Sequence, residues 1–305
     1  MKKSFLSRFA ALIISLLMLA ATAAAETAPL SGDIIIDGSS TVFPVTEAVA
    51  EEFRMLHPDV QITIGISGTG GGFKKFVIGE TDINDASRLI KESEAEQARQ
   101  NGIEYVDFMI AFDGLSVLVN PANNFVDSLT MEELHLLWMP DSTVKTWKDL
   151  RPEWPDEEIR LYGAGTDSGT FDYFTEAVNG TAGAIRTDFI PSEDDNVLVQ
   201  GIAGDKNAIG FFGFAYYVEN TDKLKAVAID NGNGPVVPSF ETIKDGTYAP
   251  LSRPIYIYVT RAALQKAHVR EFVTFYLTGG TALIPEVGYV ELEAALYEQE
   301  LSKLN

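Results

Sequence analysis

The chain has 305 residues, 46% of them hydrophobic, with no cysteine and a formal net charge of −21. That is enough apolar material for a packed core, and the length suggests two lobes. Disulfides and a cysteine-linked lipid anchor are excluded, three scattered histidines make a poor zinc site, and so acidic a surface argues against nucleic acid.

Lys2, Lys3 and Arg8 precede the apolar run Ala10–Ala20, and Ala23-Ala24-Ala25 offers a small-residue cleavage site before Glu26. This is the pattern of a secretory signal peptide over residues 1–25, with an apolar run short of the ~20 residues that a membrane span needs. Loss of the leader removes three cations and no anions, leaving −24. A soluble periplasmic protein is expected.

Asp33–Ile36 reads as a strand. A helix is predicted over Val45–Leu56, with Pro44 suited to its first turn. Val60–Ile66 alternates as a strand, and a short helix is expected over Gly71–Ile78. Asp82–Ala86 reads as a brief buried strand and Glu92–Asn101 as a polar helix stopped by Gly102. Tyr105–Ile110 and Leu115–Val119 are predicted as two strands. Thr130 and Glu133 form a capping box for a helix over Thr130–Trp138. Ile159–Gly163 (strand), Phe171–Val178 (helix), Val197–Ala203 (helix), Ala208–Phe211 (strand), Phe214–Val218 (helix) and Leu224–Ile229 (strand) follow. Beyond a loop-rich stretch come a strand over Arg253–Val259 and helices over Ala262–Leu277 and Glu291–Leu304. Such alternation predicts α/β lobes with largely parallel sheets, whose ligands sit beyond the C-terminal ends of strands.

Three strand-to-helix turns share one chemistry: Gly38-Ser39-Ser40-Thr41, Ser67-Gly68-Thr69-Gly70-Gly71-Gly72 and Gly165-Thr166-Asp167-Ser168-Gly169-Thr170. Each is rich in glycine and hydroxyls, and each opens a predicted helix, whose first N–H groups are unpaired and whose dipole is positive there. A single turn of this kind is an ordinary N-cap; three argue for a pocket that holds a small oxyanion. The triple glycine fits neither a P-loop nor the dinucleotide pattern, and close approach of backbone to ligand is the expected reason for it. Asp167-Ser168-Gly169-Thr170 resembles an aspartic-protease motif, but no second such motif supplies the partner carboxylate. Arg88, after the strand, is suited to binding an oxyanion with two parallel bonds, and Asp113 to orienting it or accepting a ligand proton. His57, His135 and His268 lack hydrolase motifs and read as structural.

Gly38-Ser-Ser-Thr-Val-Phe-Pro44, Gly65-Ile-Ser-Gly-Thr-Gly-Gly-Gly-Phe-Lys74, Asp85-Ala-Ser-Arg88 and Gly165-Thr-Asp-Ser-Gly-Thr170 occur in that order. Together they resemble the PstS family, the phosphate-binding proteins of phosphate ABC importers. The resemblance runs from Gly32 to about Gly288. It implies the type II periplasmic binding protein fold: two α/β lobes joined by two crossover strands, near Asp113–Val119 and Leu251–Tyr256. Lobe 1 would be residues 26–113 plus 253–305, and lobe 2 residues 114–252. Carried onto this chain, the phosphate-binding residues would be Ser40, Thr41 and the Val42 amide, then Thr69 with Ser67 and Gly70, then Ser87 beside Arg88, and then Ser168, Gly169 and Thr170 from lobe 2.

The chain departs from the family pattern in two places. Ala164 stands where an arginine is expected before the lobe-2 Ser-Gly-Thr, and Ser87 where an aspartate accepts the ligand's proton. Arg88 is expected to replace that arginine, and Asp113 or Asp167 that acceptor. The resemblance implies a monomeric solute-binding protein without a cofactor. It would catalyse nothing, and would deliver inorganic phosphate to an inner-membrane permease pair with its ATPase. Capture of another oxyanion (sulfate, molybdate), a secreted phosphoester hydrolase and a sensor without a permease are the alternatives.

Overall fold

The computed structural model describes residues 29–166, 168–192 and 194–305; the leader and Asp167 lie outside them. The strands are β1 (Gly32–Gly38), β2 (Val60–Ile66), β3 (Ile83–Ala86), β4 (Tyr105–Val119), β5 (Ser128–Thr130), β6 (Arg160–Ala164), β7 (Ile190–Ser192), β8 (Ala208–Gly213), β9 (Lys225–Ala226), β10 (Ala228–Asp230), β11 (Pro235–Val236), β12 (Ser252–Thr260) and β13 (Val290–Glu291). The helices are α1 (Phe43–Leu56), α2 (Gly68–Phe76), α3 (Glu92–Gln100), α4 (Met131–Trp138), α5 (Trp147–Leu150), α6 (Gly169–Asn179), α7 (Asp195–Gly204), α8 (Phe214–Val218), α9 (Phe240–Lys244), α10 (Ala267–Tyr276), α11 (Leu283–Glu286) and α12 (Ala294–Ser302).

One path of paired strands, β2-β1-β3-β12-β4-β8-β6-β7, runs through the molecule. β1 pairs in parallel with β2 and β3, and β6 in parallel with β7 and β8. β12 and β4 join these two parallel groups through antiparallel ladders. The sheet is thus mixed rather than largely parallel. Residues Tyr105–Leu115 of β4 pair with or flank β12, while Leu115–Val119 pair with β8. The two strands expected on either side of Asp113-Gly114 are therefore one strand of 15 residues. A side chain at Gly114 would meet Ile243 at 2.6 Å, so the glycine serves packing, not a turn.

Other differences are local. The helix expected over Ala262–Leu277 is a 3₁₀ turn, Ala263–Gln265, followed by α10. The strand over Leu224–Ile229 is interrupted at Val227. The final helix begins at Ala294 because Val290 is buried in a ladder opposite Phe112.

Apolar packing fixes the helices that carry the site. α1 buries Val45, Val49 and Phe53, and the Phe53 ring meets Phe272 of α10 edge-on at 5.3 Å. α6 buries Phe174, whose ring stacks on Phe211 of β8 at 3.7 Å, with Trp138 of α4 edge-on to Phe211 at 5.1 Å. Fully burying rings of this size stabilises the fold by roughly 1.5–3 kcal/mol each.

Asp85, in the four-residue strand β3, is 1% exposed, with both carboxyl oxygens buried. Burial pushes its pKa up to about 8; the Thr46 hydroxyl opposes the rise and the charge of Asp37 adds to it, both to smaller extents. The folded chain therefore holds a proton there that the unfolded chain releases near the ordinary carboxylate pKa. Stability from this group falls as pH rises, by up to about 1.4 kcal/mol per pH unit between about pH 4 and 8. Asp85→Asn is expected to flatten that decline and raise the melting temperature at pH 8 but not at pH 4. Parallel thermal melts of the two proteins would contradict it.

Candidate functional site

The site is built where β1, β2 and β6 end and α1, α2 and α6 begin. In the first turn, Ser39 N–H donates to the Asp85 carbonyl at 3.0 Å, and the Ser39 carbonyl accepts from Val42 and Phe43. The Ser39 hydroxyl oxygen accepts from Thr41 N–H at 3.2 Å. Pro44 lies in the first turn of α1, where its missing N–H costs nothing. In the second, α2 starts at Gly68, three residues before the expected Gly71, so all three consecutive glycines are helical. Gly70 faces the cleft. Gly72 instead packs on β1: an added Cβ would lie 2.6 Å from Gly38 Cα and 2.0 Å from Asn84 Oδ1. Close helix-to-strand contact, rather than ligand approach, explains that glycine.

A cleft of about 570 Å³ opens between these turns, lined by Ser39, Ser40, Thr41, Gly68, Thr69, Gly70, Ser87, Arg88 and Lys91 on one side. Asp172, Tyr173, Glu176, Ala177 and Ala182 line it from the other, with Pro250, Ser252 and Arg253 at the joint. Thr69 and Ser87 hydroxyls share a 3.0 Å bond, and Ser87 N–H donates to Thr69 Oγ1 at 3.1 Å. Ser40 donates to Asp172 Oδ2 at 2.7 Å. Thr41 donates to the Gly169 carbonyl at 3.3 Å. The α6 N-terminus and the first turn are thus in contact across 128 residues of sequence.

Of the residues expected from the sequence, the cleft brings together Ser40, Thr41, Thr69, Gly70, Ser87 and Arg88. Val42 is buried behind it. Ser67 turns away: its hydroxyl and amide both donate to Asp37 Oδ1, at 2.6 and 3.0 Å. Burial pulls the Asp37 pKa up, but the bonds from Lys75, Ser67 and the Gly38 amide outweigh it and hold the carboxyl below its ordinary value. Ser168 caps α6 by accepting from Thr170 N–H at 3.2 Å, Gly169 is buried against Thr41, and none of Ser168, Gly169 and Thr170 lines the cleft. Arg88 is spoken for: its two terminal nitrogens meet both oxygens of Glu94 at 2.8 and 2.9 Å, and its guanidinium lies 5.3 Å from the Phe73 ring centre.

The arginine that reaches the heart of the cleft is Arg253, at the start of β12. It donates to Thr41 Oγ1 at 3.1 Å and lies over the Tyr173 ring at 3.5 Å. Glu176 is 3.6 Å away and Asp113 is 3.7 Å away. Asp113 is 4% exposed and stands behind this guanidinium rather than on the cleft wall. Two tyrosines brace the joint: Tyr173 donates to the Pro250 carbonyl and Tyr289 to the Thr41 carbonyl. Sequence reasoning missed Arg253, Asp172, Tyr173, Glu176 and Ser252. A lone arginine heading an otherwise apolar strand was the signal for the first; the others had none.

The histidines lie elsewhere. His57 packs on Phe53, His135 Nδ1 meets the Val178 carbonyl and Asn179, and His268 Nε2 meets the Asp33 carbonyl. Among the described residues no helix is long and apolar enough to cross a membrane.

Two α/β lobes sharing a pair of long strands, with a polar cleft between helix N-termini, define a solute-binding protein of the periplasmic type. Residues 23–279 match the model of the PBP superfamily domain. Protein SphX of Synechocystis sp. is 48% identical over 284 residues, 92% of this chain and 84% of that protein. The phosphate-binding protein PstS of Staphylococcus saprophyticus is 40% identical, over 92% of this chain and 87% of that protein. The crystal structure of a possible phosphate-binding protein from Planctomyces limnophilus superposes with a TM-score of 0.87 at 49% identity, covering 90% of this chain and 99% of that one. The chain belongs to the PBP superfamily and, within it, to the family that holds SphX and PstS.

Proposed function

We propose that this protein captures inorganic phosphate between its lobes and hands it to an ABC importer in the inner membrane, without catalysing a reaction. The observation that carries the reading is the convergence on one cleft of the Arg253 guanidinium, the hydroxyls of Ser40, Thr41, Thr69 and Ser87, and the opening turn of α2. Guanidinium and hydroxyl donors around a helix N-terminus suit a tetrahedral oxyanion. The relatives' names and the likeness to the Planctomyces protein support phosphate as that anion.

In this reading lobe 1 comprises residues 26–113 plus 253–305 and lobe 2 residues 114–252, the leader is cleaved, and the mature chain acts as a periplasmic monomer. Arg253 takes the place the sequence suggested for Arg88. The proton-accepting carboxylate we assign to Asp172, which lines the cleft and already accepts from Ser40. Phosphate near neutral pH carries a proton to donate there, and sulfate carries none.

Calorimetric titration of the mature protein, unfolded and refolded to strip carried-over ligand, is the test. One-to-one binding of phosphate with no response to sulfate is expected. Absence of phosphate binding would overturn the reading. Asp172→Asn is expected to weaken phosphate at least tenfold and to erase its advantage over sulfate; an unchanged preference would remove Asp172 from that role.

A further inference from the structure

Arg253 and Asp113 are direct cross-strand partners in the β12–β4 ladder, the two strands that run between the lobes. Their charged atoms face each other across an unclosed gap. Asp113 Oδ2 and Arg253 Nε are 3.7 Å apart, both are buried, and neither has a hydrogen-bond partner. A buried guanidinium N–H and a buried carboxylate oxygen left apart are each costly, and a shift of under 1 Å would satisfy both. The other end of the same guanidinium is engaged at the cleft with Thr41, over Tyr173 and near Glu176. The fork therefore has a cleft side and a strand side, and the strand side is the one unsatisfied.

We propose that Asp113 is a positioning residue for anion capture: it anchors the inner edge of Arg253 so that the outer edge presents its N–H groups to the ligand. This rests on Arg253 being a ligand of the phosphate reading. Asp113 touches no ligand itself. Because the pair sits on the strands shared by both lobes, drawing Arg253 toward an anion also acts at the joint about which the lobes close.

The groups facing Asp113 leave its titration to Arg253. From α6 come Tyr173 and, beyond the guanidinium, Glu176; from the segment before β13 comes Tyr289. Burial holds both tyrosine hydroxyls well above their ordinary range, so neither ionises near neutrality. Burial pushes the Asp113 carboxyl up to about 6, against the opposing pull of the nearby Arg253 charge. Anchoring is thus present at pH 7.5 and lost as pH falls through about 6.

The experiment is calorimetric titration with inorganic phosphate of the refolded wild type and Asp113→Asn, at pH 7.5 and pH 5.0. The variant is expected to bind about tenfold more weakly at pH 7.5 and within twofold of wild type at pH 5.0. The ratio between the proteins cancels the ligand's own titration. An equal deficit at both pH values would mean a structural role only, and equal or tighter binding by the variant at pH 7.5 would also overturn the proposal. A second readout needs no ligand: carbon-13 NMR titration of the Asp113 carboxyl in wild type and Arg253→Gln. The midpoint is expected to rise in the variant, and an unchanged midpoint sinks the pairing. Failure of the wild type to bind phosphate would count against the phosphate reading alone, with this midpoint still deciding the pair.

Discussion

Arg253→Gln is expected to weaken phosphate binding about 100-fold, or about 2.7 kcal/mol. The Arg253 side chain is only 18% exposed, and its guanidinium is a charged donor held between the first turn, α6 and the shared strands. Glutamine keeps much of the bulk over Tyr173 but removes the charge and the planar fork, and it leaves Asp113 buried without its counter-charge. Arg88→Gln is the control. Arg88 lines the cleft too, but its fork is closed on Glu94, whose carboxyl it holds below the ordinary value against the effect of burial. Its replacement is expected to change affinity less than threefold. Titration of both variants decides the matter. A large loss in Arg88→Gln with none in Arg253→Gln would return the role to the residue that the sequence pointed to.

Gly169→Ala should be as damaging by a different route. A methyl group there would lie 2.5 Å from Thr41 Cα, 2.8 Å from the Ser40 carbonyl oxygen and 2.8 Å from Thr41 N. All three are backbone atoms, so no side-chain rotation makes room. The α6 N-terminus must move off the first turn, breaking the Thr41 bond to the Gly169 carbonyl and the Ser40 bond to Asp172. Both walls of the cleft lose registry together. A loss of affinity of at least 100-fold is expected, with a larger radius of gyration in solution scattering. Stability should fall little, because α6 remains anchored by Phe174 on Phe211. Normal affinity would show that the lobes do not need this contact to hold the ligand. A collapse of the melting temperature would show that the wedge disturbs the core instead.

What could be read in advance was what neighbours in sequence decide. Pro44 placed the start of α1, and Thr130 with Glu133 placed that of α4, because caps bond groups three or four residues apart. The three hydroxyl turns were legible for the same reason, each ending a strand and opening a helix. The cleft's other wall was not. Asp172 meets Ser40 across 132 residues and Arg253 meets Thr41 across 212, and no local pattern encodes such meetings. Arg88 looked like the ligand because it follows a strand end. Glu94, six residues on, was in view, but its reach back to Arg88 depends on where α3 starts. Tyr105–Ile110 and Leu115–Val119 looked like two strands, with Asp113-Gly114 between them. Here the strand survives because β12 pairs with it as far as Gly114, opposite Ser252, and β8 takes over the pairing from Leu115.

That uninterrupted strand bears on how the molecule moves. At about 3.4 Å per residue, the 15 residues of β4 form a beam about 50 Å long, laddered to β12 along one part and to β8 along the other. The pairing with β12 slips register beside Ile255, a bulge that softens the beam near its middle. If the lobes open and close about these strands, the movement would be flexure of a continuous ribbon, with no peptide required to swing between distinct conformations. A beam held by ladders on both parts would spread any bending over many bonds rather than concentrate it at one peptide.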